Sequence, residues 1–228
     1  MNMRWLLWKD YRHNRLIVFT ALFLLLAPHL LALFGACKLE FLGNGDGPQW
    51  PEFFLASSVY SLSLCQLAVA LIGGNAIAGE RVDRSEEFLF SLPITRRKLL
   101  TSKLLLALLI IAAPWMMNAP ALGYLVGTLP SQDPEVVAEL LTNTAITGLT
   151  FFCVAWFLSS FIASPTFAVC GGLVTPLLFG TGFYLVCGLL DVSLAEDELE
   201  VWYRTFCLTL APPCFALGTW HYLRRVEP

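Results

Sequence analysis

Charged residues are scarce in this chain. Lys, Arg, Asp and Glu make up 14% of its 228 residues, against about 25% in soluble domains. Disordered chains are polar and charged, so the same shortage excludes disorder. With 57% hydrophobic residues and a mean hydropathy of +0.69, the chain is also too apolar for a soluble globule of its length. Enzyme motifs are missing too. Gly74-Asn75-Ala76-Ile77-Ala78-Gly79 is followed by Glu80 rather than Lys, so there is no phosphate-binding P-loop. Neither H-E-x-x-H nor G-x-S-x-G occurs. The seven cysteines contain no C-x-x-C pair, which argues against a metal site or disulfide framework. Gly43-Asn44-Gly45-Asp46 matches the G-x-G-D string of intramembrane aspartyl proteases, but no apolar segment offers a second Asp. A Gly-rich outer turn is the reading there. Carboxylates are nearly absent at membrane depth, which argues against ion coupling through them and for an energy source on another chain.

What the chain has is long uncharged runs. They cover 22 residues between Arg15 and Lys38, 27 from Phe53 to Gly79, 29 from Leu104 to Gln132 and 19 from Thr205 to Leu223. A fifth, from Leu140 to Leu190, lasts 51 residues. As one helix it would measure about 76 Å against a hydrocarbon core of about 30 Å, so it must be two spans. The turn falls at Ala163-Ser164-Pro165, because Pro165 disfavours helix at Ser164 and suits the first turn of a new one. The expectation is one domain over 1–228 with six spans, about 16–36, 53–78, 99–126, 139–162, 165–189 and 203–223. The first uncharged run is too long for a signal peptide and is read as an uncleaved anchor. In lipid the backbone must satisfy itself, so the fold class is all-α.

Orientation follows from the basic residues. With the N-terminus inside, 12 of 14 Lys and Arg lie on the inner side, and only Lys38 and Arg204 fall outside. Eleven of 17 acids lie outside. That bias predicts N-in and C-in topology, with a basic inner face suited to anionic lipid headgroups. Residues 1–15 mix Trp5, Trp8 and Tyr11 with Arg4, Lys9, Arg12 and Arg15, and read as a short amphipathic helix on the inner surface. Gln66, Asn75 and Asn118 are polar groups inside spans, expected mainly as interhelical hydrogen bonds, and His29, beside Pro28, is expected to find an intrahelical or neighbour-helix partner. Prolines 114, 120, 176, 212 and 213 mark expected kinks, and Gly171, Gly172, Gly180 and Gly182 expected close helix approach.

The segment with most local information is Gly79 to Lys103, GERVDRSEEFLFSLPITRRKLLTSK, which carries 10 charges in 25 residues. Asp83 and Glu86 have the spacing of an N-cap and its reciprocal partner. A short helix would run from there to Ser91, where the approach to Pro93 ends it. It would expose Phe88 and Leu89 beside Glu86 and Glu87. Thr95 then caps the third span, with Ile94 and Leu99 placed as a hydrophobic staple. Arg96, Arg97 and Lys98 oppose that helix's dipole, so headgroups or a docking partner must favour them.

This segment resembles the inner loop of ABC-2 type permease subunits. Glu80-Arg81, Leu92-Pro93-Ile94-Thr95-Arg96 and Lys103 match that loop in order and spacing, while Ser85–Phe90 and Ser102 depart from it. The resemblance implies a six-helix integral membrane permease with a cytoplasmic coupling helix between spans two and three. It implies partner-binding roles for Glu80, Arg81, Glu87, Phe88, Leu89, Leu92, Pro93 and Arg96. It further implies a separate ATP-binding cassette ATPase that holds the ATP, a second permease copy, and no cofactor on this chain. The location would be the cytoplasmic membrane, with lipids but no nucleic acid as partners, and the function ATP-driven export. Two other classes remain open at this level: an intramembrane enzyme, and a non-transporting anchor that recruits a cytosolic protein through the same loop.

Overall fold

The computed structural model describes residues 3–41, 50–83, 95–128, 133–189 and 196–224. These residues form seven helices and no strand: α1 (Met3–His13), α2 (Arg15–Phe41), α3 (Trp50–Val82), α4 (Arg96–Thr128), α5 (Pro134–Phe161), α6 (Pro165–Leu189) and α7 (Glu196–Arg224). Five of them, α2 to α6, are long and apolar enough to cross a membrane. Helix α7 has 29 residues but is less apolar, with Arg204, His221 and two prolines along it. The helices overrun the uncharged segments: α3 and α4 have 33 residues each, about 50 Å. Pro28, Pro114, Pro120, Pro176, Pro212 and Pro213 all lie inside helices.

Local chemistry accounts for the ends. Asp133 is the N-cap of α5, accepting from the Glu135 N–H at 2.9 Å, and Pro134 takes the first turn. The uncharged run from 140 to 190 is broken at residues 162–164, where Ile162 N–H still donates to Leu158 O, and α6 starts at Pro165. Lys98 and Leu99 N–H both donate to Thr95 O, so Thr95 stands at the entry of α4.

Small residues decide which helix is central. Helix α3 buries Ser57, Ser58, Ser61, Ala68, Ala70, Gly73, Gly74, Ala76, Ala78 and Gly79. It packs on α2, α4, α5 and α6, and α5 in turn packs on α6 and α7. Without a hydrophobic drive between helices in lipid, such contacts depend on close approach. A Cβ on Gly74 would stand 2.8 Å from Val169 N, and one on Gly172 would stand 3.0 Å from Ala155 Cα. Helix α6 therefore rests on the backbones of α3 and α5. Of the other glycines expected to permit approach, Gly171 meets the Leu158 side chain, Gly180 has only ordinary contacts, and Gly182 faces open space. Trp156 is fully buried between Phe152 and Phe215, at ring distances of 5.7 and 5.9 Å, and donates to Thr219 Oγ1 at 3.3 Å.

Helix α1 lies against α4 and turns into α2 through Asn14 alone. Its buried face is Leu6 and Asp10, with Leu6 packed on Leu99. Trp5, Trp8 and Tyr11 are exposed, and Arg12 stacks on Trp8 at 5.4 Å. Trp5, Trp8 and Tyr11, with Arg4 and Arg12, thus occupy the exposed face of α1, free for a headgroup layer.

Candidate functional site

The densest chemistry lies where α1 meets the end of α3 and the start of α4. Glu80 is 4% exposed. Its Oε1 stands 2.5 Å from Lys9 Nζ and 2.9 Å from Lys103 Nζ. Lys103 also donates to Ala76 O at 2.5 Å. Lys9 reaches Asp10 Oδ1 at 3.4 Å, and Asp10 Oδ2 accepts from the Ser102 hydroxyl. Two cations and two carboxylates therefore cancel, which removes the main objection to burying them: an unpaired charge there would be very costly. Asn14 Nδ2 donates to Asp10 O at 2.9 Å, and Asn75 Nδ2 donates to Asn14 Oδ1 at 2.8 Å, so the cluster continues to the α1–α2 junction. At its edge His13 Nδ1 and Asp83 Oδ2 are 3.1 Å apart.

The geometry has a direct consequence. Helices α3 and α4 bracket residues 84–94, and the Lys9–Glu80–Lys103 bridge fastens the two helices to each other and to α1. The neighbouring arginines extend the fastening. Arg81 Nη2 donates to Ser160 O at 2.6 Å and its Nη1 to Ile162 O at 3.5 Å, where α5 ends. Arg96 Nη1 donates to Tyr222 O at 3.2 Å, near the end of α7. A guanidinium at a helix C-terminus meets unsatisfied carbonyls and the negative end of the dipole. The residues flanking 84–94 thus hold α1, α3, α4, α5 and α7 together at one end of the bundle.

Of the residues expected to bind a partner, Glu80, Arg81 and Arg96 all sit in this framework, with Glu80 turned inward. Glu87, Phe88, Leu89, Leu92 and Pro93 lie outside the described residues, as does Glu86. Asp83, expected as an N-cap for 84–91, has its carboxylate beside His13. Lys9, Asp10 and Ser102 were not among the expected site residues. One sequence signal pointed to them: Asp10 is the lone acid among Arg4, Lys9, Arg12 and Arg15, and shares a helix face with Leu6.

Two other polar groups tie the bundle. Toward the opposite end, Arg204 Nη2 lies 2.6 Å from Glu139 Oε1 and 2.7 Å from Glu200 Oε1, and its Nε donates to Asn143 Oδ1 at 2.5 Å, joining α5 to α7. Inside the bundle, His29 meets Ser57 and Asn118, and Asn118 Nδ2 donates to Ser61 Oγ at 3.4 Å. Asn75 and Asn118 are thus partnered across helices. Gln66 instead donates within its own helix, to Leu62 O at 3.0 Å, with Oε1 against Gly148.

The described residues thus form a multi-pass helical bundle fastened at one end by a buried ion-pair cluster and helix-end arginines, and toward the other by a partly exposed one at Arg204. The chain belongs to the ABC-2 transporter family: the family model described as ABC-2 family transporter protein matches residues 5–199. No curated protein matches it. It is therefore the membrane component of an ABC transporter, a permease, and members of the family typically work with an ATPase subunit.

Proposed function

We propose that the chain is one half of the membrane part of an ATP-driven exporter in the cytoplasmic membrane, with six spans and both termini inside. A second permease copy completes the pathway, and the ATPase docks on residues 84–94, chiefly through Phe88, Leu89 and Leu92, with Glu87 at the rim and Pro93 ending the docking helix. The observation that carries this reading is the Lys9–Glu80–Lys103 bridge, which ties both flanks of that segment into the bundle. A force applied at 84–94 then acts on α1, α3 and α4 as one body. Arg81 and Arg96 pass it to the ends of α5 and α7. ATP is held and hydrolysed by the partner, and this chain supplies alternating access. The sixth span is α7, whose charged first turns lie in the outer boundary layer, and the basic bias supports the orientation.

The test is docking. Exposed aromatic bulk beside charge is a hot-spot composition, in which one truncation can cost about 2 kcal/mol or more. Phe88→Ala or Leu92→Asp should weaken ATPase binding by about 30-fold, since about 1.4 kcal/mol is tenfold. Membrane insertion should be unchanged. Co-purification in mild detergent and vanadate-sensitive transport in vesicles read both effects. Variants that insert, bind and transport like the parent chain would remove the exporter reading's main support.

A further inference from the structure

Helices α2 and α6 both pack on α3 and leave a gap between them. Near the charged end of the bundle that gap widens into a cavity of about 350 Å³, within the range of small-molecule sites, about 300–1,000 Å³. It is lined by His13 and the start of α2, by Leu71 and Asn75 of α3, and by the first turns of α6. Two of its lining residues, Leu16 at 74% exposure and Cys170, are on the perimeter of the bundle. Both belong to candidate spans, so the cavity opens sideways, toward lipid.

The lining changes from polar to apolar with depth. A Cβ on Gly79 would meet His13 Nε2 at 2.8 Å, so His13 is level with Gly79. One on Gly74 would meet Val169, so Thr166, three residues before Val169, is level with the turn that follows Asn75. Cys65 Sγ reaches Ala21 O, so Leu16 and Ile17 are level with the residues just before Leu71. His13, Thr166 and Asn75 therefore form the end nearer the charged cluster, and Leu16, Ile17 and Leu71 form the deep end. Between Gly79 and Leu71 α3 rises about 12 Å. A wholly apolar ligand mismatches the first end and a wholly polar one the second. The gradient suits an amphiphile lying along α3 with its head at the membrane boundary.

The donors at the shallow end ask for a head rich in acceptors. Helix α6 begins at Pro165, and the Thr166 and Phe167 N–H groups have no carbonyl upstream in the helix to bond. The Thr166 hydroxyl and the exposed Arg15, next to Leu16, add to them. The carboxylate of Asp83 is paired with His13 Nδ1. A phosphate diester answers such donors with charge-assisted hydrogen bonds. The tail gains nothing hydrophobic by leaving the bilayer, since lipid is already apolar. What it gains is contact with a wall that an empty gap would leave without partner atoms.

We propose that this cavity is a phospholipid site, in which one acyl chain fills the deep end against Ile17 and Leu71 and the phosphate sits at the first turn of α6. A chain held there keeps α2 and α6 apart, and these are the two least buried of the five candidate spans. The site needs neither the ATPase nor the transported substrate, so it stands apart from the exporter reading.

The test is photo-crosslinking of the full-length chain in phosphatidylcholine nanodiscs. A trace of phosphatidylcholine with a diazirine on its acyl chain is included, and the labelled peptides are mapped by mass spectrometry. Labelling of residues 13–17, 71–75 and 165–170 should exceed that of residues 30–34, an exposed part of α2 away from the cavity. The excess should be about tenfold, which is about 1.4 kcal/mol, close to the worth of one hydrogen bond to a charged group. Leu71→Trp fills the deep end and should abolish the excess. Cys170→Trp blocks the rim from an exposed position that the fold does not depend on, and should do the same. A diacylglycerol with the same diazirine chain lacks the phosphate and should show no excess. Labelling spread evenly over the exposed faces overturns the proposal. So does an excess that persists in variants melting like the parent, or one that the diacylglycerol reproduces.

Discussion

Removing the Glu80 carboxylate is the sharpest test of the framework that joins α1, α3 and α4. In the parent chain Lys9 and Lys103 balance Glu80 and Asp10, and Glu80 is 4% exposed. Glu80→Ala leaves one excess positive charge and two ammonium groups facing each other across the vacated space. Breaking a buried pair on one side costs about 3–5 kcal/mol. Lys103→Met leaves the opposite excess, and Ala76 O loses the Lys103 donor. The double variant Glu80→Ala/Lys103→Met leaves Lys9 with Asp10, which is neutral again. Its loss should therefore fall well short of the sum, with a coupling of about 2 kcal/mol or more, within the range for residues in direct contact. Unfolding of the purified chain in detergent, followed by tryptophan fluorescence, reads the comparison. Each single variant should lower Tm by on the order of 10 °C. Single variants that melt within about 2 °C of the parent, or a double variant whose loss is simply additive, would refute the reasoning. The cluster would then not hold α1, α3 and α4 together.

Two further predictions address topology and packing. In a cysteine-free background, single cysteines at Asn44 and Glu198 should label from outside intact cells, and cysteines at Ser85 and Ser164 only after permeabilisation; outside labelling at 164 would overturn the proposed orientation. Gly74→Leu must displace Val169 and lift α6 from α3, and should cost about 1–3 kcal/mol or more. Gly182→Ala, which meets nothing within 4 Å, should be neutral or stabilising by about 0.5–1 kcal/mol. Equal thermal stabilities for these two variants would contradict the close approach of α6 to α3.

The elements that were legible in the sequence are those with a local cause. Pro165 and the length of the 140–190 run placed the break between α5 and α6. Thr95 marked the entry of α4, and Gly172 the close approach of α6 to α5. The residues whose partners are distant were not legible. Lys9 and Glu80 are 71 positions apart and His29 and Asn118 are 89 apart, and no periodicity carries such pairings. The exposed face of α1 illustrates the same limit. Trp5, Trp8 and Tyr11 marked α1 as amphipathic in the sequence, yet the bundle buries Leu6 and Asp10, because Leu99 and Ser102 of α4 complement that face. A tertiary partner decided the face, and local amphipathicity did not. The departure at Ser102 has a physical counterpart as well: its hydroxyl is a donor to Asp10 that a glycine there would lack.

The distribution of packing suggests how force would travel in the exporter reading. In the most apolar stretches of α3 and α5, 56% of residues are buried, against 11% in α2 and α6. Interiors packed against neighbours on several sides do not deform gradually, so α3 and α5 are the rigid pair. Helices α2 and α6 are the ones with freedom to shift, and each is leashed to the charged framework by a short connection. Asn14 alone separates α2 from α1, and Asn14 is bonded to both Asp10 and Asn75. Only residues 162–164 separate α6 from α5, and Arg81 holds Ile162 O. Movement of the α3–α4 flanks would reach α2 through Lys9 and Asp10, and α6 through Arg81. The two least buried of the five candidate spans are thus placed one connection away from the charged cluster. A permease needs that arrangement if a displacement at its inner loop is to open a path along its periphery while the central pair stays intact.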